Sequence, residues 1–413
     1  MKRWPLTLAL TLGVSMSSAL AAGTITVWYA GNFQGHIDVV NKTVLPGFRA
    51  ANPDVNVRVE FIPWGDLSTK LNAAFAAGTA PDVFMHGAAA TAGFASNSRI
   101  ESLEPYLKEI DAADFGPTLN QGKYAGARYM MPVFGAGRLL VYRKDLFQAA
   151  GLDPNKAPKT WTGLLNAARK LTTRDASGRI VRAGLLLTSN GIDLQQVFAS
   201  FYFQTGGEFF SDDLKSVAFN NPKGVKAVRF MQQLFDPKTG VSPLGEPPSP
   251  VSPLMTGRAA MIYAVPDDIS DLKTSNPDLY AKLGVAPPTK DQIQSTMYSF
   301  SGFFLSKDSK DKADAWKYIK YATSGKVLEA FNAAAASVPP LNSLVKADFV
   351  TSNPVLTAYM QNLRFAHGNP NIPIWVKARD ILSAKLEEAM YGRISAAEAL
   401  SQAAKDITAE LKR

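Results

Sequence analysis

Apolar and polar positions near the N-terminus repeat with two different periods. Between Val55 and Phe61 every second residue is apolar, which is typical of a strand, whereas from Leu67 to Phe75 the apolar residues recur at helical spacing. Gly78 follows at the position where helices commonly end. Residues 25–85 are therefore predicted to form a strand, a helix, a strand, a helix and a strand in turn.

Strands separated by helices of this length pair in parallel through right-handed crossovers. The loops that follow the strands then lie along one edge of the sheet, where open α/β sheets bind their ligands. We therefore expect an α/β protein whose binding groups stand at strand ends.

The pattern of strands and amphipathic helices continues along the chain. Two strands are predicted on either side of a loop from Phe134 to Arg138, and a helix is predicted after Thr160 with Trp161 on its buried face. Five prolines within 241–254 predict an extended rim loop. The motif from Ser395 to Glu398 predicts a capping box at the start of the last helix.

The first 21 residues have the pattern of a secretory signal. Lys2 and Arg3 precede the apolar run Leu6–Val14, and small residues lead to a predicted cleavage site after Ala21, with Ala22 as the second choice. This run is too short to span a membrane, and no later run reaches about 18 apolar residues, so the mature chain is expected to be soluble and exported.

The composition and length of the chain restrict its cellular compartment and its domain architecture. The chain has no cysteine, which excludes disulfides, cysteine-ligated metals and a lipid-anchored cysteine, and this favours the bacterial periplasm. A chain of 413 residues is long enough for two lobes with separate cores. The formal charge is +9, and subtracting Lys2 and Arg3 leaves about +7 without a basic cluster of the nucleic-acid-binding kind.

Motifs for catalysis are absent from the sequence. His36, His86 and His367 lack the H-E-x-x-H spacing of a zinc site, and no G-x-S-x-G motif occurs. We therefore expect no cofactor and no enzyme activity. A glycosidase needs only two positioned carboxylates, so an exported glycan hydrolase stays open as the alternative from another functional class.

Several short motifs, taken in order, resemble one known family. They are Ala77-Gly78 to Asp82-Val83, Pro132, Val141-Tyr142-Arg143-Lys144-Asp145-Leu146-Phe147 with Ala150-Gly151-Leu152, Lys159-Thr160-Trp161, Gly206-Gly207-Glu208, Gly257-Arg258-Ala259-Ala260-Met261, Ala313-Asp314-Ala315-Trp316, Asn371-Ile372-Pro373 and Gly392 to Leu400. Their order and spacing resemble the extracellular solute-binding proteins of ABC importers, in the carbohydrate-binding branch that includes maltose-binding protein.

The resemblance implies a two-lobed α/β periplasmic binding protein fold, with a hinge and an interlobe cleft. It implies one lobe from 22–130 with 298–345 and a second lobe from 131–297 with 346–413. It also implies a monomeric receptor that binds a sugar or oligosaccharide in the cleft and delivers it to an ABC importer permease in the inner membrane.

Sugars present apolar ring faces and hydroxyl edges, so a sugar site needs flat aromatic side chains and a few directional polar groups. The strand ends and the predicted lobe crossings supply such candidates. They are Asn32, Gln34, Trp64, His86, Phe134, Arg138, Tyr263, Asp267, Phe300, Gly302, Trp375 and Arg379.

Two of these candidates rest directly on the resemblance. By resemblance, His86 is the counterpart of a sugar-stacking tryptophan in maltose-binding protein. The stretch from Gly87 to Gly93 lacks the charged pair with which that protein contacts sugar hydroxyls. This difference puts maltose itself in doubt as the ligand. Trp375 follows Asn371-Ile372-Pro373, where the family places a stacking aromatic, and Arg379 follows one helical turn later.

The ligand class stays open at this stage. A receptor of the same fold could bind a polyol phosphate, an opine or a polyamine instead of a sugar. Arg138 and Arg379 are available for a phosphate, whereas the candidate set lacks the several carboxylates that a polyamine would need.

Overall fold

A computed structural model describes residues 23–189, 191–245, 251–270 and 272–412. The predicted signal, its cleavage site and residues 246–250 of the proline-rich stretch lie outside the described residues. The predicted succession of strands and helices over residues 25–85 is confirmed.

Most strands belong to two sheets, and the remaining ones form short two-stranded ribbons. The strands are β1 (Gly23–Ala30), β2 (Val55–Ile62), β3 (Val83–Gly87), β4 (Lys123–Tyr124), β5 (Ala127–Arg128), β6 (Met130–Gly137), β7 (Leu139–Arg143), β8 (Thr173–Arg174), β9 (Ile180–Arg182), β10 (Met261–Ala264), β11 (Leu283–Ala286), β12 (Thr296–Leu305) and β13 (Ala366–His367).

Helices cover both faces of these sheets. They are α1 (Gln34–Val39), α2 (Leu45–Ala51), α3 (Trp64–Ala77), α4 (Thr91–Ser96), α5 (Ala112–Phe115), α6 (Lys144–Ala149), α7 (Trp161–Leu171), α8 (Gly191–Gln204), α9 (Pro222–Phe235), α10 (Asp267–Ser270), α11 (Leu272–Ser275), α12 (Pro277–Tyr280), α13 (Lys312–Ala322), α14 (Gly325–Ala335), α15 (Asp348–Thr351), α16 (Pro354–Gln361), α17 (Trp375–Met390) and α18 (Ala396–Leu411).

The larger sheet defines the first lobe. Its strand order is β13-β12-β3-β1-β2, and β6 pairs with β12 as well. Strands β1, β2 and β3 run parallel, whereas β12 runs antiparallel to β3 and β6. The carboxyl ends of β1, β2 and β3 therefore share one edge, as the crossover rule predicts.

Each face of this sheet is covered by buried aromatic rings. On one face Tyr29 packs edge-on against Phe303 at 5.1 Å, and its hydroxyl lies 2.8 Å from that of Tyr318 in α13. On the other face Phe84 stacks on Phe304 at 5.4 Å and contacts Phe75 of α3. Adjacent residues of β12 thus serve opposite faces, which makes the lobe a three-layer α/β/α unit.

The smaller sheet defines the second lobe. Its order is β10-β7-β11, with both outer strands antiparallel to β7. Leu140 and Tyr142 pack in the core that includes α7, α8, α9, α17 and α18, whereas Leu139 and Val141 face the other way. Helix α16 covers that second face, where the hydroxyl of Tyr359 donates to Ala264 O at 2.6 Å. The exact lobe boundaries stay a prediction.

The chain crosses between the lobes where β6 leads into β7, and the predicted loop there is shorter than expected. Strand β6 continues to Gly137, so residues 134–137 are strand and only Arg138 separates β6 from β7. Gly135 and Gly137 permit this because the ring of Tyr298 lies across them; a Cβ on Gly137 would stand 2.2 Å from Tyr298 Cδ2.

Local signals in the sequence act as predicted. Gly78 ends α3 with φ of 68°, and Thr160 Oγ1 accepts the N–H of Gly163 at the start of α7. Ser395 and Glu398 form the predicted capping box of α18. In the described part of the chain, no helix combines the length and apolar character needed to cross a membrane.

Candidate ligand-binding site

Trp64 stands at the shared edge of the parallel strands. It begins α3 directly after β2, and its side chain is 40 % exposed. Its indole lies over Gly31 at the end of β1, where a Cβ would be 3.0 Å from Nε1 and the φ of +88° also favours glycine. Gly31 therefore permits a large aromatic surface to lie flat and accessible at the strand ends.

Two polar candidates lie beside this surface. Asn32 is exposed in the loop after β1, and Gln34 is exposed at the start of α1. Gln34 Nε2 donates to Asp38 Oδ1 at 2.7 Å, and hydrogen bonds from Lys42 and Gln34 lower the pKa of Asp38. The amide oxygen of Gln34 and the whole amide of Asn32 are thus exposed to solvent at this edge.

His86 ends β3 at the same edge but is buried, with 5 % exposure. The rings of Trp64 and Phe94 meet it edge-on at 6.2 and 5.6 Å. Burial, and secondarily the charge of Arg379, lowers its pKa to about 3, so the ring is neutral. The N–H of Gly87 donates to Nδ1, which leaves the proton on Nε2 to be donated to Ser68 Oγ at 3.1 Å. In this arrangement the ring supports Trp64 from below and offers no face for stacking.

Arg138 lies buried at the crossing between β6 and β7, and all of its guanidinium nitrogens have partners. Nε donates to Gln196 Oε1 at 2.7 Å, Nη2 forms an ion pair with Asp193, and Nη1 lies 3.5 Å from Tyr263 O. Both Gln196 and Asp193 belong to α8 of the second lobe. Arg138 therefore fastens the crossing to that lobe.

Asp268 lies next to this ion pair, in α10 just after β10. Its side chain is exposed to solvent, yet the surrounding protein desolvates the carboxyl and raises its pKa, with Asp193 adding to the rise and Arg138 opposing it. Helix α10 also contacts α14 of the first lobe, which places Asp268 between the lobes.

Five further candidates lie around the crossing or just after β10. Phe134 and Phe300 are buried in the larger core, and Gly302 pairs within β12, where a Cβ would stand 2.1 Å from Met131 O. Tyr263 is buried, and burial raises its pKa to about 12. Asp267 begins α10, and its side chain lies outside the described residues.

Trp375 and Arg379 lie in the first turns of α17 in the second lobe. Trp375 is only 2 % exposed, and its ring packs against Phe209 at 5.3 Å and Phe210 at 6.4 Å, which is the environment of a core residue. Arg379 donates through Nε and Nη2 to Asp380 Oδ1 at 2.9 and 2.8 Å, and its charge reaches His86 across the interlobe boundary.

The segment before α17 forms a second contact between the lobes. Asn371 Oδ1 accepts the N–H of Ala92 at 2.9 Å, and Nδ2 donates to Lys123 O at 2.8 Å, both in the first lobe. Pro373 O approaches Gly93 so closely that a Cβ there would stand 2.8 Å away. This contact holds the start of α17 against α4 and β4.

Four side chains of this region are absent from the set that the sequence suggested: Asp193, Gln196, Asp268 and Asp380. Asp193 carries a weak signal, since it stands in the first turn of a helix after Gly191. The sheet edge that this turn faces depends on tertiary packing. The sequence signal therefore could not place Asp193 at the cleft. Among the described residues, no group of three or more His, Asp or Glu side chains is arranged to hold a metal ion.

Known proteins are similar to this chain in sequence or in structure. A binding protein of Brucella abortus is 24 % identical over 100 % of this chain and 99 % of its own length. An sn-glycerol-3-phosphate-binding periplasmic protein of Escherichia coli is 27 % identical over 280 residues, which are 64 % of this chain and 61 % of that protein. An ABC transporter solute-binding protein of Thermotoga lettingae, solved with α-D-tagatose, has a TM-score of 0.85 and 25 % identity and covers 94 % of this chain and 100 % of its own.

The family model for bacterial extracellular solute-binding proteins matches residues 34–327. The two-lobed α/β fold expected from the resemblance is confirmed by the structure and by the solved neighbours. The predicted receptor family is confirmed as well. The chain belongs to the bacterial extracellular solute-binding proteins.

Proposed function

We propose that this protein is the periplasmic receptor of an ABC importer, that it binds a sugar or a related polyol between its lobes, and that it delivers the ligand to a membrane permease. Trp64 carries the ligand assignment. An exposed indole fixed at the shared end of three parallel strands, with the amides of Asn32 and Gln34 beside it, suits a ligand with an apolar face and hydroxyl edges. The tagatose complex of the Thermotoga lettingae protein supports the same ligand class.

The proposed site joins both lobes. Asn32, Gln34 and Trp64 line the first-lobe edge, and Arg379 and Asp268 face it from the second lobe, with Arg138 at the crossing. His86 is proposed to support Trp64. The predicted role of Trp375 as a stacking platform stays a prediction, which its burial does not favour.

Isothermal titration calorimetry of the mature protein with a panel of hexoses, pentitols and oligosaccharides tests the assignment. We expect at least one member to bind with a single site and to be recovered chemically unchanged. Binding of another solute class, with no response to any sugar or polyol, would exclude the sugar assignment. Mass spectrometry of the ligand that copurifies with the protein gives an independent identification.

A polyol phosphate is the second candidate ligand. The similarity to the sn-glycerol-3-phosphate-binding protein of Escherichia coli favours it. A phosphate ester recovered with the purified protein would support this candidate over a plain sugar.

We infer that the protein binds without turnover, since receptor function is the role of the family. Incubation with labelled oligosaccharides checks this directly. Intact substrate after prolonged incubation supports the receptor, whereas product formation that one carboxylate substitution abolishes would establish a hydrolase.

A further inference from the structure

The arginines that could bind a phosphate are already engaged by carboxylates. Arg138 uses Nε and Nη2 for Gln196 and Asp193, and its Nη1 lies near Tyr263 O. A phosphate would have to displace Asp193 from a guanidinium whose side chain is only 10 % exposed. The positive charge of Arg138 is therefore neutralised by the adjacent carboxylate of Asp193.

Arg379 is balanced in the same way. Its Nε and Nη2 both donate to Asp380, and its side chain is 12 % exposed. The carboxylate of Asp380 is 56 % exposed and lies on the solvent side of the pair. An approaching phosphate would meet this negative charge together with the guanidinium.

Helix N-termini provide the other common phosphate site, because their free N–H groups and dipoles attract anions. Helix α3 carries Asp66 in its first turn, and α8 carries Asp193. A carboxylate of the chain itself thus stands in the first turn at each of these positive helix ends and opposes the approach of a second anion. Helix α17 has no acidic residue in its first turn, but the arginine that follows there is the one paired with Asp380.

Asp268 adds a carboxylate that forms no ion pair with any of the described side chains. Its Oδ2 accepts a hydrogen bond from the N–H of Val265 at 3.0 Å. Arg138 lies close enough to act on it, but the guanidinium is paired with Asp193. Among the described side chains of these two groups, the three carboxylates of Asp193, Asp268 and Asp380 outnumber the two guanidinium groups of Arg138 and Arg379, so their summed charge is negative.

From this geometry we propose that the cleft accepts uncharged polyhydroxyl ligands and rejects their phosphate esters, and that Asp193 and Asp268 set this preference. The inference rests on the proposed function, since it specifies the ligand class of the same cleft. A hydroxyl can donate to a carboxylate and accept from a guanidinium, so paired charges suit sugars. A phosphate can only accept from the guanidinium and is repelled by the carboxylates.

Matched pairs of ligands test this preference on the mature protein. Calorimetric titration compares glycerol with sn-glycerol 3-phosphate, ribitol with ribitol 5-phosphate, and D-tagatose with D-tagatose 6-phosphate. Within each pair that binds, we expect the neutral member to bind at least about tenfold more tightly, because one unfavourable charge contact in a partly solvated cleft suffices for that factor. A phosphate member that binds more tightly than its neutral partner overturns the inference.

Substitution of the two carboxylates locates the cause. In Asp193→Asn the guanidinium of Arg138 loses its ionic partner, and in Asp268→Asn the unpaired charge is removed. We expect both to lower the ratio of neutral to phosphate affinity, Asp193→Asn by about tenfold and Asp268→Asn by less. Asp153→Asn, a matched change at an exposed ion pair with Lys156 in the loop after α6, should leave the ratio unchanged. Ratios that stay at the wild-type value in both cleft variants overturn the role of these residues.

Two controls keep the outcomes distinct. Thermal melting of each variant shows whether it is folded, and Asp268→Asn, at an exposed side chain, serves as the test if Asp193→Asn unfolds. If neither member of any pair binds, and the oligosaccharide panel is also silent, the proposed function itself fails. Binding of neutral ligands with an inverted ratio rejects only the charge preference.

Discussion

The two lobes meet at the cleft with surfaces of different character. The first lobe presents Trp64, Asn32 and Gln34 as exposed groups, with neutral His86 beneath them. On the second lobe Trp375 is packed into the core and Arg379 is paired with a carboxylate. One side is thus accessible and mostly uncharged, whereas the other is charge-balanced.

Topology explains part of this difference. In the first lobe three parallel strands end at one edge, so their loops lie side by side and can present side chains without long excursions. In the second lobe β7 runs antiparallel to both neighbours, so the carboxyl ends of β10 and β11 lie beside the start of β7 at the crossing. The second lobe therefore approaches the cleft mainly through the first turns of α8, α10 and α17.

The largest expected effect separates the two tryptophans. Replacing Trp375 with Ala should lower the free energy of unfolding of the unliganded protein by about 3–5 kcal/mol, since it leaves a cavity beside Phe209 and Phe210. Chemical denaturation of the apo variant measures this loss. Unchanged apo stability together with lost affinity would instead assign Trp375 to the site, as its position in the sequence suggests.

Neutral histidines in the first lobe predict a dependence of stability on pH. Burial lowers the pKa of both His36 and His86 to about 3, against 6.5 in the unfolded chain. Stability is therefore complete above pH 6.5 and declines as the pH falls toward 3, because the unfolded chain takes up the protons first. At pH 5 each histidine should cost about 2 kcal/mol.

Unfolding curves between pH 7.5 and pH 5 measure this slope. The double variant His36→Asn with His86→Asn should lose stability at neutral pH but show a much flatter slope over the same interval. A slope equal to that of the wild type would mean that neither ring is kept neutral in the native protein.

Trp64 provides the matching test on the accessible side. Trp64→Ala should weaken sugar binding by about 1–3 kcal/mol, the scale of a buried apolar side chain. Its effect on apo stability should be small, since the indole is 40 % exposed. Titration and melting of this variant beside Trp375→Ala give opposite patterns if the two lobes differ as described.

The smallest effect concerns the contact at Asn371. Asn371→Ala removes two hydrogen bonds between the lobes and should lower the free energy of unfolding by about 1–2 kcal/mol. Gly93→Ala should have a similar effect, because its Cβ would press on Pro373 O. Gly65→Ala, where a Cβ meets nothing within 4 Å, is the control and should not destabilise. Equal melting temperatures for all three variants would show that the contact contributes nothing.

Much of the first lobe could be predicted from periodicity, because each buried strand and helix there shows its own pattern and the parallel order follows from connection lengths. The position of Trp64 at the sheet edge could be predicted because the residue comes just after the end of a strand. The burial of His86 and Trp375 could not be predicted, since it depends on Phe94, Phe209 and Phe210, which lie elsewhere in the sequence. The ion pair of Arg138 with Asp193 joins residues 55 positions apart and has no local signature.

The pairing of β6 with β12 bears on how the lobes can move. The ring of Tyr298 fits only over a glycine, and Gly135 and Gly137 flank Ala136, so a slip of one residue between the strands would drive the ring into a side chain. In mechanical terms the two strands form a joint that we expect to resist sliding along the strand direction and to allow bending. We therefore expect opening and closing of the cleft to be a rotation about this joint, so that each closure would return Trp64 to the same position opposite the second lobe.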